Sequence, residues 1–594
     1  MDKRIIVDSS FTEETRVVFI NGSEIEHFEV DTSSNKKQLK GNVYLAKVSR
    51  VEPSLQAAFI NYGGNKQGFL PFSEINDDYF KIPKADKKNK KNDDDFIVKD
   101  FYKDNYENRT KKSPRIPNFK KYKIQEVIKK NQIMLVQIVK DERGSKGAAL
   151  TTFISIAGKY CVLMPNKPLG VKISKKISDF NERKKLTQIA NKCKLTKKMG
   201  LIVRTASRDC NENILKKDFD YVLGIWRSIK EKTINSLAPT IINEDSNIVN
   251  KFIRDSFIEE YKEILIEGQE TYERAKKYMK TLLPEQEKKI KEYKNTKLPI
   301  MEYYDLENKI NSIYDTKVRL KSGGYIIINS TEALTAIDIN SGQSTTERSV
   351  EQTAVKTNIE AVDEICKQIR IRNIAGLIVV DFIDMEYIRN KIIIERRLKE
   401  TLRYDRAKCQ ISRISKFGLI ELSRQRIGPS LEETTMEEVI ISGIRCTIRS
   451  TTSSVAKILR KLKYLKFEKK IKELTIHLYE TLYEYIINNN QNLIKDFEEK
   501  LKTKIVLIKD NNIAPPFFVL KTIELNKKKN KPTVIYDDIP KLASEEEGKE
   551  IKKDKKKLVE KKITTKSKTK KKERIKESIE KKKEPIDEIG SIVK

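Results

Sequence analysis

The sequence predicts a multidomain chain of mixed α/β and α+β architecture, on three observations. At 594 residues it is several times the usual domain length of roughly 100 to 200 residues. The N-terminal part alternates apolar and polar residues with the period of strands, whereas residues 325–385 read strand, helix, strand, the order of a parallel crossover unit. A hydrophilic run at about 82–121 and a Lys-rich end hold too few apolar residues to bury and are expected to be disordered.

In chain order, RIIVDSS, TRVVFING and EIEHFEV form a meander that turns at Asn21-Gly22. From Asn42, NVYLAKVSRVEPSLQAAFINYGGNKQGFLPF gives short strands split by Gly and Pro, and QIMLVQIVKDERGSKGAALTTF supplies the closing strands of a small barrel. Residues 154–250 mix strands (KYCVLMP, GLIVRTA) with amphipathic helices, and IEGQETYERAKKYMKTLLPEQEKKIKEY reads as a long polar helix. YIIINS and LTAIDIN are strand-like, SVEQTAVKTNIEAVDEICKQIRIRN has helical spacing, and GLIVVDFIDM is an apolar run opened by Gly376.

Lys plus Arg number 121 against 86 Asp plus Glu, a formal net charge of +35 that favours polyanionic partners, nucleic acid or an anionic membrane surface. An AT-biased genome accounts for part of that excess, since Lys and Ile are abundant throughout. No apolar run reaches the roughly 18 residues of a membrane span and the start lacks a signal-peptide core, so a cytoplasmic protein is expected. The six cysteines are scattered without a C-x-x-C pair, and the two histidines, His27 and His477, give little support to histidine general-base catalysis. Hydrolytic chemistry would rest on carboxylates and metal.

Three constellations stand out. Asp338 ends LTAID and Asp381 ends GLIVVD, so both carboxylates should project into one crevice at strand ends, with Asn340 on the same face as Asp338. Such a pair suits Mg²⁺, which binds through one or two carboxylates plus substrate phosphate and lowers the pKa of a bound water. The same spacing also fits aspartates that only cap turns. In the barrel, Phe59, Tyr62 and Phe69 are interleaved with Lys66, Gln67 and Gly68, and Lys146 lies in GSKGAA; aromatics there stack bases while lysines follow phosphates, although Phe59 equally fits a core position. Arg204 and Thr205 follow the strand GLIV and make a small phosphate pocket, or else a surface Arg beside a capping Thr.

NVYLAKVSRVEPSLQAAFINYG, KGAALTTFISIAGKYCVLMPN, GLIVRTA, SGGYIIINSTEALTAIDIN, NIEAVDEICKQIRIRNIAGLIVVDFIDM and LIELSRQR, in that order, resemble the ribonuclease E/G family as far as about Arg426, with a weaker echo to about Leu520. The resemblance implies an RNase H-like domain from 1–38 and 250–313, an inserted S1 (OB-fold) barrel at 39–153, a 5′-sensor domain at 154–249 and a DNase I-like catalytic domain at 314–435. A degenerate zinc-link region at 436–452, a small domain at 453–525 and a disordered Lys-rich tail at 526–594 follow. By position in the motifs, Asp338 and Asp381 match the family's magnesium ligands and Asn340 its accompanying asparagine; Arg204 and Thr205 match the 5′-monophosphate sensor. Phe59, Phe69 and Lys146 match the RNA channel, and Lys408 falls where the family often has an arginine near the active site.

One departure is the zinc link: the family's C-P-x-C is absent, Cys446 stands alone in PSLEETTMEEVIISGIRCTIRS, and zinc is not expected. Homo-oligomers would then assemble through packing surfaces. The other departure is the short basic tail, which by charge suits RNA or the anionic inner-membrane surface and shows no helix for recruiting other RNA-decay enzymes. The expected activity is a Mg²⁺-dependent endoribonuclease cutting single-stranded A/U-rich RNA to 5′-phosphate and 3′-hydroxyl ends, in rRNA and tRNA processing and mRNA decay. The alternatives are a non-catalytic RNA-binding protein of the same fold and a basic membrane-surface protein, for which the tail lacks an apolar helical face.

Overall fold

Runs such as KRIIVDSSF and ETRVVFIN are dense in β-branched residues, which pack better on a pleated sheet than on a helix. In the computed structural model they form strands Lys3–Phe11 and Glu14–Asn21, continued antiparallel by Glu24–Thr32 through a turn at Gly22, whose φ of +62° suits glycine. Between residues 2 and 537 the structure describes all but 12, 33–38, 82–121, 143–145, 178, 209, 246–247, 295–297, 343–348, 404, 442–443, 469–470, 514–515 and 525–532; the hydrophilic insertion read from the sequence lies outside the described residues. The chain divides into two compact units, Met1–Lys469 and Lys470–Lys594.

In the first unit the N-terminal meander gains two distant strands: Glu263–Glu267 pairs parallel with Lys3–Phe11, and Ile290–Glu292 pairs parallel with Glu263–Glu267. Both faces of this sheet are covered. Ile5, Val7, Val17 and Phe19 pack against Phe252 and Met279 on one side, while Ile6, Val18 and Ile20 pack against Ile300, Met301 and Leu306 on the other. The stretch IEGQETYERAKKYMKTLLPEQEKKIKEY differs from the single helix expected. Its helix, Gln269–Leu282, stops ahead of Pro284, which has no N–H to continue the ladder, and KKIKEY supplies the edge strand.

The barrel closes. Strands Val43–Glu52, Ala57–Asn61, Gly68–Pro71, Ala149–Thr151 and Ile133–Lys140 pair in that order, and the last returns to pair with the first. Tyr62, read as a candidate base-stacking residue, instead belongs to the barrel core: it is 1% exposed, packs edge-on against Tyr44 and donates its hydroxyl to Glu142. Alternation explains the outcome, because Ile60 and Tyr62 share the inward side of the chain while Phe59 points the other way.

Next comes a four-stranded sheet, Gly170–Ile173, Gly200–Val203, Cys161–Met164 and Ile156–Ala157, packed on helices Phe180–Asn191 and Glu212–Ile234. Then a six-stranded mixed sheet follows in the order Lys317–Arg319, Tyr325–Ser330, Leu334–Asn340, Gly376–Asp381, Leu419–Arg424 and Cys409–Ile411. Only its two central strands run parallel, joined by helix Val350–Ile371, whose first turn is capped by Ser349 accepting from the Gln352 N–H. Ile337, Ile339, Ile378 and Val380 bury one face of this sheet under that helix and Ile388–Leu402; the other face is open.

The region read as a degenerate zinc link is a hairpin, Met436–Ile441 with Ile444–Arg449. Helix Thr451–Glu468 follows and docks on the N-terminal sheet through Arg460, which reaches Asp8 and Glu14, and Lys463, which reaches Ser10 and Glu267. In the second unit Lys504–Lys509, Ile471–Leu478, Phe518–Glu524 and Thr533–Asp537 form one sheet with helices Glu480–Asn489 and Gln491–Leu501. Its last strand falls inside the 526–594 range expected to be tail: TVIYD has strand-forming residues, and Phe518–Glu524 offers it an edge to pair with. The residues beyond 537 lie outside those described.

Candidate functional site

The open face of the six-stranded sheet is built by alternation. In Leu334–Asn340 the odd positions 335, 337 and 339 are buried and Ala336 and Asp338 are exposed; in Gly376–Asp381, Ile378 and Val380 are buried and Asp381 is exposed. Asp338 and Asp381 are direct partners in the parallel register, so both carboxylates rise side by side from adjacent strands. Asn340, two residues on and half-buried, donates from Nδ2 to Oδ2 of Asp338 at 2.7 Å. The site therefore occupies the face of the sheet as well as its strand ends.

Burial first, then the neighbouring Asp338 and Asp384, push the Asp381 carboxyl above its ordinary value. Among the described residues no lysine or arginine is ion-paired with any of these three aspartates. Gly418 lies beside them, an ideal Cβ there falling 3.4 Å from Asp384 Oδ1 and 3.9 Å from Asp381 Oδ1, ordinary contact distances; its φ of +80° is what favours glycine. A hard divalent cation fits this uncompensated pair. Among the described residues no cluster of three or more His, Cys, Asp or Glu is arranged to hold a metal, so the rest of a cation's shell would come from water and substrate, the habit of Mg²⁺.

On the barrel, Phe59 and Phe69 are cross-strand partners, their ring centroids 6.0 Å apart and tilted by 69°, and both are half-buried. The Arg50 guanidinium lies 4.3 Å from the Phe59 ring centroid, a cation beside a stacking platform. Lys146 is exposed, next to Gly147, which packs so closely on the Gln67 carbonyl that a Cβ would sit 1.9 Å from its oxygen. The structure thus gathers Phe59, Phe69 and the Lys146 loop along neighbouring strands.

Arg204 and Thr205 follow Gly200–Val203, with Arg204 half-buried and Thr205 exposed. Arg204 is already engaged: Nη1 donates to the Gly158 carbonyl at 2.7 Å and Nη2 sits 2.7 Å from Asp255 Oδ1. Burial works to raise the Asp255 carboxyl, but Arg254 and Arg204 outweigh it and hold the group ionised. Lys408 is exposed just before the edge strand Cys409–Ile411, at the opposite edge of the six-stranded sheet from Lys317–Arg319. Sequence reasoning missed Arg50, Asp255 and Asp384. Asp384 alone had a local signal, three residues after Asp381 in VVDFIDM; Asp255 meets Arg204 from 51 positions away along the chain.

Comparison with known proteins agrees with this layout. A model described as "Ribonuclease E/G family" matches residues 155–427, "RNase E/G, Thioredoxin-like domain" matches 445–523, and "S1 RNA binding domain" matches 37–153, the closed barrel. Ribonuclease E of Haemophilus influenzae is 36% identical over 516 residues, covering 87% of this chain and 51% of that protein, so the chain spans about half the length of this relative. A putative ribonuclease E of Buchnera aphidicola subsp. Baizongia pistaciae is 39% identical over 432 residues, 73% of this chain and 97% of its own. Ribonuclease G of Escherichia coli K12 is 31% identical over 450 residues, 76% of this chain and 85% of its own. With an S1 barrel preceding the matched family region, and relatives at 39% and 31% identity covered over 97% and 85% of their lengths, the chain belongs to the ribonuclease E/G family.

Proposed function

We propose that this chain is a Mg²⁺-dependent endoribonuclease that cuts single-stranded, A/U-rich RNA and leaves a 5′-phosphate and a 3′-hydroxyl, serving rRNA and tRNA processing and mRNA decay. The observation that carries the reading is the register-matched pair Asp338 and Asp381 on an open sheet face, with no lysine or arginine among the described residues ion-paired to it. Asp338 and Asp381 would hold Mg²⁺, which when bound would supply Lewis-acid polarisation of the scissile phosphate and activation of water. Asn340 fixes the Asp338 carboxylate by its 2.7 Å hydrogen bond.

Phe59 and Phe69 stack bases of the incoming strand, with Arg50 and Lys146 on its phosphates. Arg204 keeps further N–H donors beyond those given to Gly158 and Asp255, and with Thr205 it receives a 5′-monophosphate. In this reading the N-terminal five-stranded sheet is the RNase H-like part and the six-stranded sheet the DNase I-like part. Homo-oligomers form through packing surfaces without a zinc link.

The test is cleavage of a short A/U-rich RNA carrying a 5′-monophosphate or a 5′-hydroxyl, by wild type and Asp381→Asn, with and without Mg²⁺. Cutting by wild type alone, only with Mg²⁺ and faster on the monophosphate, supports the catalytic and sensor assignments together. RNA that is bound but never cut, whatever the divalent ion, replaces the enzyme with an RNA-binding protein.

A further inference from the structure

The open face that carries Asp338 and Asp381 extends across two more strands, and its far edge is basic. Lys317 pairs with Ile327, which pairs with Asp338, and Arg319 pairs with Tyr325, which pairs with Asn340. Direct partners in a ladder point to the same side of a sheet, so Lys317, Arg319, Tyr325 and Ile327 share the face of the carboxylates. Burial agrees: Val318 packs on the core under the helices and Ile326 and Ile328 are buried, while Lys317 and Arg319 are exposed. The Lys317 ammonium stands 3.9 Å from the Tyr325 ring centroid, close enough for the ring to hold it over the sheet. Among the described residues neither Lys317 nor Arg319 has an acidic partner.

We infer that Lys317, braced by Tyr325, and the neighbouring Arg319 form a subsite for the backbone phosphate of a nucleotide flanking the one that is cut. The inference rests on the nuclease reading given above. Two inter-strand spacings, roughly 10 Å, separate Lys317 from Asp338, a reach that keeps both on one extended strand of RNA. The charge pattern favours that ligand: a carboxylate pair alone repels a polyanion, and a cationic edge beside it draws the backbone across the face. The aromatic brace matters because an unrestrained lysine loses more side-chain entropy on binding than one already held against a ring.

The experiment compares the full-length wild type with Lys317→Gln/Arg319→Gln, Tyr325→Leu and Tyr325→Phe, on a short A/U-rich 5′-hydroxyl RNA. Binding without divalent ions is followed against salt, and cleavage with Mg²⁺ is resolved into kcat and KM. The double variant is expected to raise KM roughly 5- to 10-fold with kcat nearly unchanged, and to flatten the slope of log K against log salt by about 0.7 for each phosphate no longer neutralised. Tyr325→Leu is expected to raise KM roughly two- to threefold, and Tyr325→Phe, which keeps the ring, to match wild type. An unchanged KM and an unchanged salt slope in the double variant overturn the subsite. Should wild type cut no RNA, the nuclease reading falls separately, and the salt slope still decides for or against the subsite.

Discussion

Replacing Arg424 with leucine tests how firmly the six-stranded sheet is anchored at the end of its strand Leu419–Arg424. Arg424 ends the strand Leu419–Arg424, and its guanidinium donates to Asp405 Oδ2 at 2.8 Å and Oδ1 at 3.1 Å, to Asn373 Oδ1 at 3.1 Å and to the Ile374 carbonyl at 2.8 Å. The two side chains of the pair are only 3% and 1% exposed. Truncating the arginine leaves the Asp405 carboxylate in a dry site with the Ala407 N–H as its remaining donor, so the loss is set by an orphaned buried charge and not by a surface ion pair. That predicts a destabilisation of roughly 3 to 5 kcal/mol. Urea unfolding near pH 7 measures it.

A second variant sharpens the test. Arg424→Leu/Asp405→Leu removes both charges and is expected to recover most of the loss. A deficit below about 1 kcal/mol in the single variant, or a double variant no more stable than the single one, would show that the orphaned charge is not what sets the loss.

Other consequences follow from the same geometry. Phe59→Ala and Phe69→Ala are each expected to weaken single-stranded RNA binding by roughly 1 to 3 kcal/mol, read by fluorescence anisotropy, without lowering the unfolding midpoint by a comparable amount. Asp255→Asn removes the carboxylate that holds Arg204 and is expected to erode the preference for 5′-monophosphate over 5′-hydroxyl RNA while cleavage of the hydroxyl substrate persists; an unchanged ratio of rates removes Asp255 from the sensor. Burial acts to raise the Asp8 carboxyl, but Arg460 and Arg16 hold it far below the carboxylate range. Its contribution is therefore complete above about pH 4 and lost as the pH falls towards the native value, and Arg460→Met is expected to cost roughly 2 kcal/mol or more at neutral pH in urea melts, with a smaller acid-dependent loss than wild type.

Periodicity made much of this legible. The apolar runs LTAID and GLIVVD set Asp338 and Asp381 at the ends of two strands with Asn340 on the face of Asp338, and the helical spacing between them implied the parallel neighbours that the register shows; that all three lie on the side away from the buried isoleucines and valines is what the structure adds. What alternation cannot reveal is which strand lies beside which. Lys3–Phe11 pairs with Glu263–Glu267 across more than 250 residues, and nothing local in either segment announces the other. Tyr62 reads like Phe59 as an aromatic near glycines, but one residue of parity separates a core position from a surface one.

The same limit hid the partners of functional groups. Arg204 shows in the sequence as a cation after a strand, whereas its engagement by Asp255 depends on how helix Ile248–Asp255 packs. Lys317 precedes the block SGGYIIINS and Tyr325 opens its strand, but neither stands out there as a candidate site residue, and only the hairpin register places them beside the carboxylates. The strand Thr533–Asp537 was obscured by its Lys-rich surroundings, since composition averages over a segment short enough for one sheet edge to order.

Asp338 and Asp381 are proposed to support internal cleavage of RNA by divalent-ion chemistry. A circular single-stranded A/U-rich RNA, which offers no ends, isolates that step. Wild type with Mg²⁺ is expected to linearise the circle, and Asp338→Asn and Asp381→Asn to bind it and leave it closed. Linearisation that persists in both variants, or a circle that wild type binds and never opens with any divalent ion, would overturn the assignment.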